Sequence, residues 1–419
     1  MSSIRTHTLD NGLAVVLEPM TGIESVSLSL LVPAGISAEP EDRQGLAGLL
    51  AEMICRGAGG LSSREHVNLL DRLGVQRSTS ASVRYLRVGA TMVADRLTEA
   101  LPPLLDMVLR PNLSEPDFEP SRQLSLQTLD GLQDDPQHRV MLDLRRLQFP
   151  HPLGRSPHGR REDIEDATID ELRAFWSSRC LPAGSVLAVA GKIDADALLQ
   201  QIKQLVSSWT GQADDITLAP APEPQTHHSN EKTAQVHIGI GLDAIPEKHP
   251  DIWSQRLALA VLSGGMSARL FTEVREKRGL CYSVFASYAG GPEFGAILAY
   301  AGTTPERAPQ TLEVLSAELL RIHEGVEDGE FGRAKTGMKA RVIMSGESTN
   351  ARASALASDH AILGRARSLE EIAEQIDAID LDTLNTFLAK RLPGPQRIVT
   401  IGPEPIAAPA ESPAEPAAS

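Results

Sequence analysis

Aromatic residues are scarce, with Phe, Trp and Tyr making up 4% of the 419 residues. Hydrophobic residues reach 42%, so the cores must be built mainly from Leu, Val, Ile and Ala. Cysteine is almost absent. Cys55, Cys180 and Cys281 lie far apart and form no CxxC, which argues against a structural thiolate zinc site. Cys55 and Cys281 have apolar sequence neighbours and read as small core residues. Excess positive charge is lacking too. Against 55 Asp and Glu stand 40 Lys and Arg, a formal net charge of −15. A nucleic-acid partner is therefore not expected, because a phosphate-binding face needs a basic excess. No run is apolar and long enough for a membrane span, and the N-terminal MSSIRTHTLDNGLAVVLEP holds no apolar signal segment. The expectation is a cytoplasmic protein without a membrane partner, or a periplasmic one from which a signal peptide has been removed.

The length suits two domains of ordinary size. Residues 5–35 read as two strands, with Asp10-Asn11-Gly12 as a turn signal before residues 13–17 and a second strand over 24–32. Ser62 and Glu65 have capping-box spacing before a helix that runs to about Leu73, and Thr168 and Glu171 repeat that spacing. Residues 75–80 and 84–93 read as an antiparallel pair. Helices are expected over 97–109, from Ser114 to about Gly131, and over 138–147. Residues 217–231, TLAPAPEPQTHHSNE, are rich in proline and short polar groups and read as an extended, exposed linker. Beyond it the element order of the first half recurs at an offset of roughly 210 residues, which implies duplicated domains rather than a solenoid. Strands and helices fall in segregated order, which makes the class α+β and not doubly wound. The Ala/Pro/Glu-rich residues 403–419 read as a disordered tail.

Residues 45–57, GLAGLLAEMICRG, read as a buried helix. They also closely resemble the metal-binding helix of the pitrilysin/insulinase family of zinc peptidases, which includes the mitochondrial processing peptidases. That family carries His-x-x-Glu-His on this helix. The matching positions here are Gly48, Leu49, Leu50, Ala51 and Glu52. Both histidines and the catalytic glutamate are missing. The family's third ligand, a glutamate on a later helix, falls in residues 122–136, where its two glutamates become Gln127 and Thr128. A hydrolytic zinc site needs about three protein ligands and one open position for water. Gly48 has no side chain, Ala51 cannot act as a base, and only Glu52 offers a carboxylate. The resemblance therefore implies a degenerate zinc site at Gly48, Ala51, Glu52 and Thr128, no metal and no catalytic residue in this chain, and no peptidase activity from it alone.

A second block survives. Residues 264–284, GGMSARLFTEVREKRGLCYSV, are similar to the family pattern L-G-G-G-x-S-S-R-L-F-x-x-L-R-E-K-x-G-L-x-Y-S-V. In active relatives its arginine and tyrosine help hold the substrate backbone near the zinc of the other half. Here they are Arg275 and Tyr282. Arginine offers fixed charged donors and tyrosine a hydroxyl on a rigid stem, which suits them to a peptide carbonyl and the charge that grows on it. The bland alternative is an Arg275 paired with a nearby carboxylate and a Tyr282 packed at a domain edge.

The resemblance spans nearly the whole chain, from Thr8 to Ile401. It implies two duplicated α/β-roll domains, each an antiparallel sheet flanked by helices, forming a half-clamshell. Residues 1–216 would be the domain with the degenerate zinc site, 217–231 the linker, and 232–402 the domain with the Arg/Tyr motif. It further implies a non-catalytic, substrate-positioning subunit of a heterodimeric zinc endopeptidase. The partner would be a homologous chain that carries the zinc, with a homodimer as the fallback, and the substrate an unfolded peptide. The competing expectations are a non-enzymatic scaffold or assembly subunit and a homodimeric peptide-binding module.

Overall fold

The computed structural model describes residues 4–391 and 394–407. Eleven strands among them form two sheets: β1 (Arg5–Thr8), β2 (Ala14–Pro19), β3 (Ser25–Val32), β4 (Gln76–Ala81), β5 (Leu86–Val93), β6 (Val186–Gly191), β7 (Thr226–Asn230), β8 (Val236–Ala244), β9 (Cys281–Gly290), β10 (Gly295–Thr303) and β11 (Arg397–Gly402). The first sheet has the order β1-β2-β6-β3-β5-β4 and the second β7-β11-β8-β10-β9. Without β1, the two orders are the same permutation shifted along the chain, which is the duplication expected from sequence. Each sheet is antiparallel except for one parallel pair, β2 with β6 and β7 with β11.

The helices of the first half are α1 (Leu46–Met53), α2 (Ser63–Arg72), α3 (Leu97–Leu109), α4 (Glu115–Gln133), α5 (Pro136–Gln148), α6 (Arg161–Asp166), α7 (Ile169–Arg179) and α8 (Ala195–Leu205). Those of the second half are α9 (Ile252–Ser263), α10 (Ala308–Arg321), α11 (Asp328–Ser345), α12 (Thr349–Leu363), α13 (Leu369–Asp377) and α14 (Leu381–Ala389). Both capping boxes form, at Ser62 with Glu65 and at Thr168 with Glu171. Among the described residues no helix is long and apolar enough to cross a membrane.

Two readings of the early chain and the linker change. Residues 5–35 hold three strands, because the short RTHT segment pairs with β2 as β1. Its alternation is too short and polar to register as a strand by itself. Part of the expected linker is also strand: β7 pairs in parallel with β11 from Thr226–Ile398 to Asn230–Gly402. What makes it a strand is the edge that β11 offers to its backbone, not any apolar pattern of its own. Of the tail, residues 408–419 lie outside the described residues.

The chain forms two compact units, and they do not follow a single cut. Unit 1 runs to Asp134, continues over Phe149–Ala221 and adds Ala340–Glu374. Unit 2 takes Asp135–Gln148, Pro222–Lys339 and the chain from Gln375 onward. Thus α5, from the first half, belongs to unit 2, and α12, from the second, belongs to unit 1. The two helices occupy equivalent places in the duplicated order.

Each exchanged helix carries a stripe at helical spacing. On α12 the buried residues are Thr349, Arg352, Ala353, Leu356 and Ala357. They cover one face of the first sheet, packing with Ala14, Val16, Leu31, Val186, Ala188 and Ala190. The small alanines let the helix lie close. The polar members of the stripe are satisfied there: Ser27 and Thr349 share a hydrogen bond of 2.9 Å, and Arg352 bonds both oxygens of the buried Glu18 at 2.8 and 3.1 Å. On α5 the buried residues are Val140, Leu144, Leu147 and Gln148. Glycine in β8 makes room for them, since a Cβ on Gly241 would lie 2.2 Å from Oε1 of Gln148. The opposite face of the first sheet carries the main core of unit 1, where Val15, Leu17, Leu28, Leu30 and Val88 meet α1, α3, α7 and α8.

Candidate functional site

In unit 1, α1 packs against α4 and lies beside β4. Its C-terminal end is tied to that strand by Cys55 Sγ and Thr79 Oγ1 at 3.3 Å and by Arg77, which donates to the Cys55 carbonyl at 3.5 Å. Leu46, Ala47, Leu49, Leu50, Ala51 and Met53 are buried, so the apolar spacing that predicts a core helix is obeyed. β4 is the outer strand of its sheet, with only β5 as neighbour. Its other edge offers backbone donors and acceptors that pair with no strand among the described residues.

The chemistry of the four sequence-identified positions does not fit a zinc ion. Gly48 contributes no donor. Ala51 is 7% exposed and presents only a methyl group. Glu52 is committed to Arg56 on the next turn, whose Nε and NH2 reach Oε1 at 3.0 and 2.5 Å. Thr128 turns its hydroxyl back to its own helix and donates to the Leu124 carbonyl at 2.9 Å. One carboxylate already held by a guanidinium falls short of the three ligands that hydrolytic zinc takes. Among the described residues, no group of three or more His, Cys, Asp or Glu side chains is placed to hold a metal ion.

The Arg/Tyr motif lies in unit 2. Its helical part, Phe271–Glu276, is a short π-helical segment, a type that the sequence pattern does not distinguish from ordinary helix. Gly279, at a φ of 60°, reverses the chain in a conformation that suits glycine, and β9 begins at Cys281. Arg275 is exposed and lays its guanidinium over the Phe271 ring, 4.8 Å from the centroid. It makes no ion pair among the described residues. The adjacent acid, Glu273, is taken by Lys277 and Arg278 at 2.7 Å each. Tyr282, three residues past Gly279, is 74% exposed. The bland alternative thus loses its carboxylate partner for the arginine, and Tyr282 is open rather than packed. Between them Cys281 is buried. Burial pushes its thiol up to about 11, and the neighbouring Arg275 charge works against that rise.

Some residues of the site region carry no sequence signal. Glu39 is buried beneath the N-terminus of α1. Arg155 is buried as well and bridges the Glu39 carbonyl at 2.6 Å and the Glu41 carboxylate at 2.5 Å. His151 contacts Glu41 at 2.9 Å, which makes it part of a structural polar cluster. Only the spacing of Glu39 before the helix could have hinted at a cap.

Residues 14–157 match the family model described as insulinase (peptidase family M16). Residues 166–338 match the model described as the peptidase M16 inactive domain. A Bacillus subtilis protein, named the uncharacterized zinc protease YmxG, is 27% identical over 393 residues, 93% of this chain and 95% of the relative. A Streptomyces coelicolor protein, named the uncharacterized zinc protease SCO5738, is 25% identical over 414 residues, 96% of this chain and 90% of the relative. Among solved structures, a peptidase M16 inactive domain from Pseudomonas fluorescens shares the fold with a TM-score of 0.87 at 21% identity, covering 97% of this chain and all (100%) of its own. A protease from Helicobacter pylori does so at 0.86 and 20% identity, covering 96% of this chain and 100% of its own.

Proposed function

The chain belongs to the M16 peptidase family, that of insulinase and pitrilysin, and from that membership we propose that it is the non-catalytic, substrate-positioning subunit of a heterodimeric zinc endopeptidase. The observation that carries this reading is the contrast between two sets of residues. Where the family's zinc set would stand, the chain offers one carboxylate, already paired with Arg56. Where the family's Arg/Tyr pair stands, it keeps an exposed, ion-pair-free Arg275 and a Tyr282 that is 74% exposed. Both groups are open to solvent, and they are donors ready for a ligand.

The metal belongs to the partner, a homologous chain with His-x-x-Glu-His. This chain's residues do other work. Arg275 and Tyr282 donate hydrogen bonds to a peptide carbonyl oxygen and orient the peptide. Those bonds strengthen as negative charge develops on that oxygen. The substrate is an unfolded peptide, bound as an added strand through backbone bonds that read little of its sequence.

The test mixes this chain with a His-x-x-Glu-His homologue from the same cell. Sedimentation should give one mixed species, with chelator-sensitive peptide cleavage. This chain alone should hold no stoichiometric zinc and cleave nothing. Separate species at micromolar concentration, or zinc-dependent cleavage by this chain alone, would sink the reading.

A further inference from the structure

The N-terminus of α1 rests on a buried carboxyl group. Glu39 is 5% exposed, and its Oε1 accepts from the amides of Gly45 at 3.1 Å and Ala47 at 2.8 Å. Its Oε2 is buried with no hydrogen-bond partner. The charged groups that face it come from two directions. Arg155 gives NH1 to the main-chain carbonyl of Glu39 and NH2 to Glu41, with His151 on the outer side of Glu41. Asp163, from α6, accepts from the Gln44 amide at 2.9 Å and from Arg160 at 2.7 Å. Among the described residues, no guanidinium therefore bonds the Glu39 carboxyl itself. Glu18, in the same unit and just as buried, shows the contrast, because Arg352 bonds both of its oxygens. A buried carboxylate without such a partner bears its desolvation cost largely unrelieved.

We propose that Glu39 is a proton-operated cap on α1, a carboxylate in one state and a neutral acid in the other, and that the helix N-terminus is held differently in the two. The proton goes to Oε2, the oxygen without a partner, and Oε1 keeps both amides. As a carboxylate, the group makes stronger bonds to those amides and meets the positive end of the helix dipole. Burial pushes the group from its ordinary 4.5 up to about 7, against the two amides and Arg155, and Asp163 adds to the rise. A carboxyl raised on folding binds its proton more tightly in the folded chain. Its contribution to stability is therefore full below about 4.5 and is lost as pH rises to about 7.

The full chain carrying ¹³C-labelled glutamate provides the test. The Glu39 carboxyl signal, assigned through its own backbone, should titrate with a midpoint near 7. A midpoint below about 5, the ordinary carboxylate range, overturns the proposal. Hydrogen exchange at Gly45 and Ala47 should change across the same midpoint, after correction for intrinsic rates, and protection that ignores the midpoint also overturns it. In Glu39→Gln, the amide oxygen can still accept from both amides. This variant should melt at a higher temperature than the parent at pH 8, with the gap closing towards pH 5. A gap that stays constant with pH counts against the proposal, and should the variant fail to fold, the titration and exchange data on the parent decide.

Discussion

A Cβ added to Gly48 would meet nothing closer than the Pro157 carbonyl oxygen at 3.7 Å. The missing ligand is thus not the result of crowding at that carbon. The helix packs as a core helix without the family's donors. Arg275 and Tyr282 differ in kind, since neither contributes buried contacts. In the assembled enzyme, Arg275→Ala or Tyr282→Phe should lower turnover about a hundredfold, on the order of 3 kcal/mol for one lost donor to the developing charge. The arginine variant should also raise KM if, as proposed, its charge orients the bound peptide. Exposure implies that the melting temperature of the isolated chain stays where it is. Normal turnover in both variants, in complexes that form normally, would leave the pair without a substrate role.

At the scale of elements, the buried stripe of α12 mixes apolar and polar residues. Its face against the first sheet includes a buried ion pair. Arg352 and Glu18 have side chains 2% and 5% exposed. Removing one partner of such a pair leaves a buried charge uncompensated and typically costs about 3–5 kcal/mol. Arg352→Met should therefore destabilise the chain by that amount in denaturant unfolding. Adding Glu18→Leu should recover most of the loss, because the second substitution removes the stranded charge. A single variant within about 1 kcal/mol of the parent would mean that water reaches the pair and that the burial counts for little.

At the scale of the whole molecule, the exchange of α5 and α12 ties the two halves of the sequence together. A fragment of residues 1–216 contains every strand of the first sheet but not α12. It would expose Ala14, Val16, Leu31, Val186, Ala188 and Ala190 and leave Glu18 without Arg352. Such a fragment should aggregate or unfold without cooperativity by circular dichroism. Supplying residues 340–374 in trans should restore a melting transition. A fragment that unfolds cooperatively without that peptide would show that the sheet stands without its exchanged helix.

The amino-acid sequence by itself determined most of the element order, both capping boxes and the loss of the zinc donors, and the recurrence of that order marked the duplication. The capping boxes and the lost donors are written in neighbours a few residues apart or in the identity of single side chains, and no distant contact can change them. It also carried the Arg/Tyr motif, though not that Glu273 beside Arg275 is taken by Lys277 and Arg278. Tertiary structure alone decided the rest. The stripes of α5 and α12 say that a face will be buried but not against which sheet. That choice depends on where the chain returns, and on alanine and glycine in strands from the other half. β1 and β7 are strands because an edge was there to pair with. Glu39 looks in sequence like any acidic residue before a helix. Only the packing of Arg155 and α6 around it removes the water that would have kept its carboxyl ordinary.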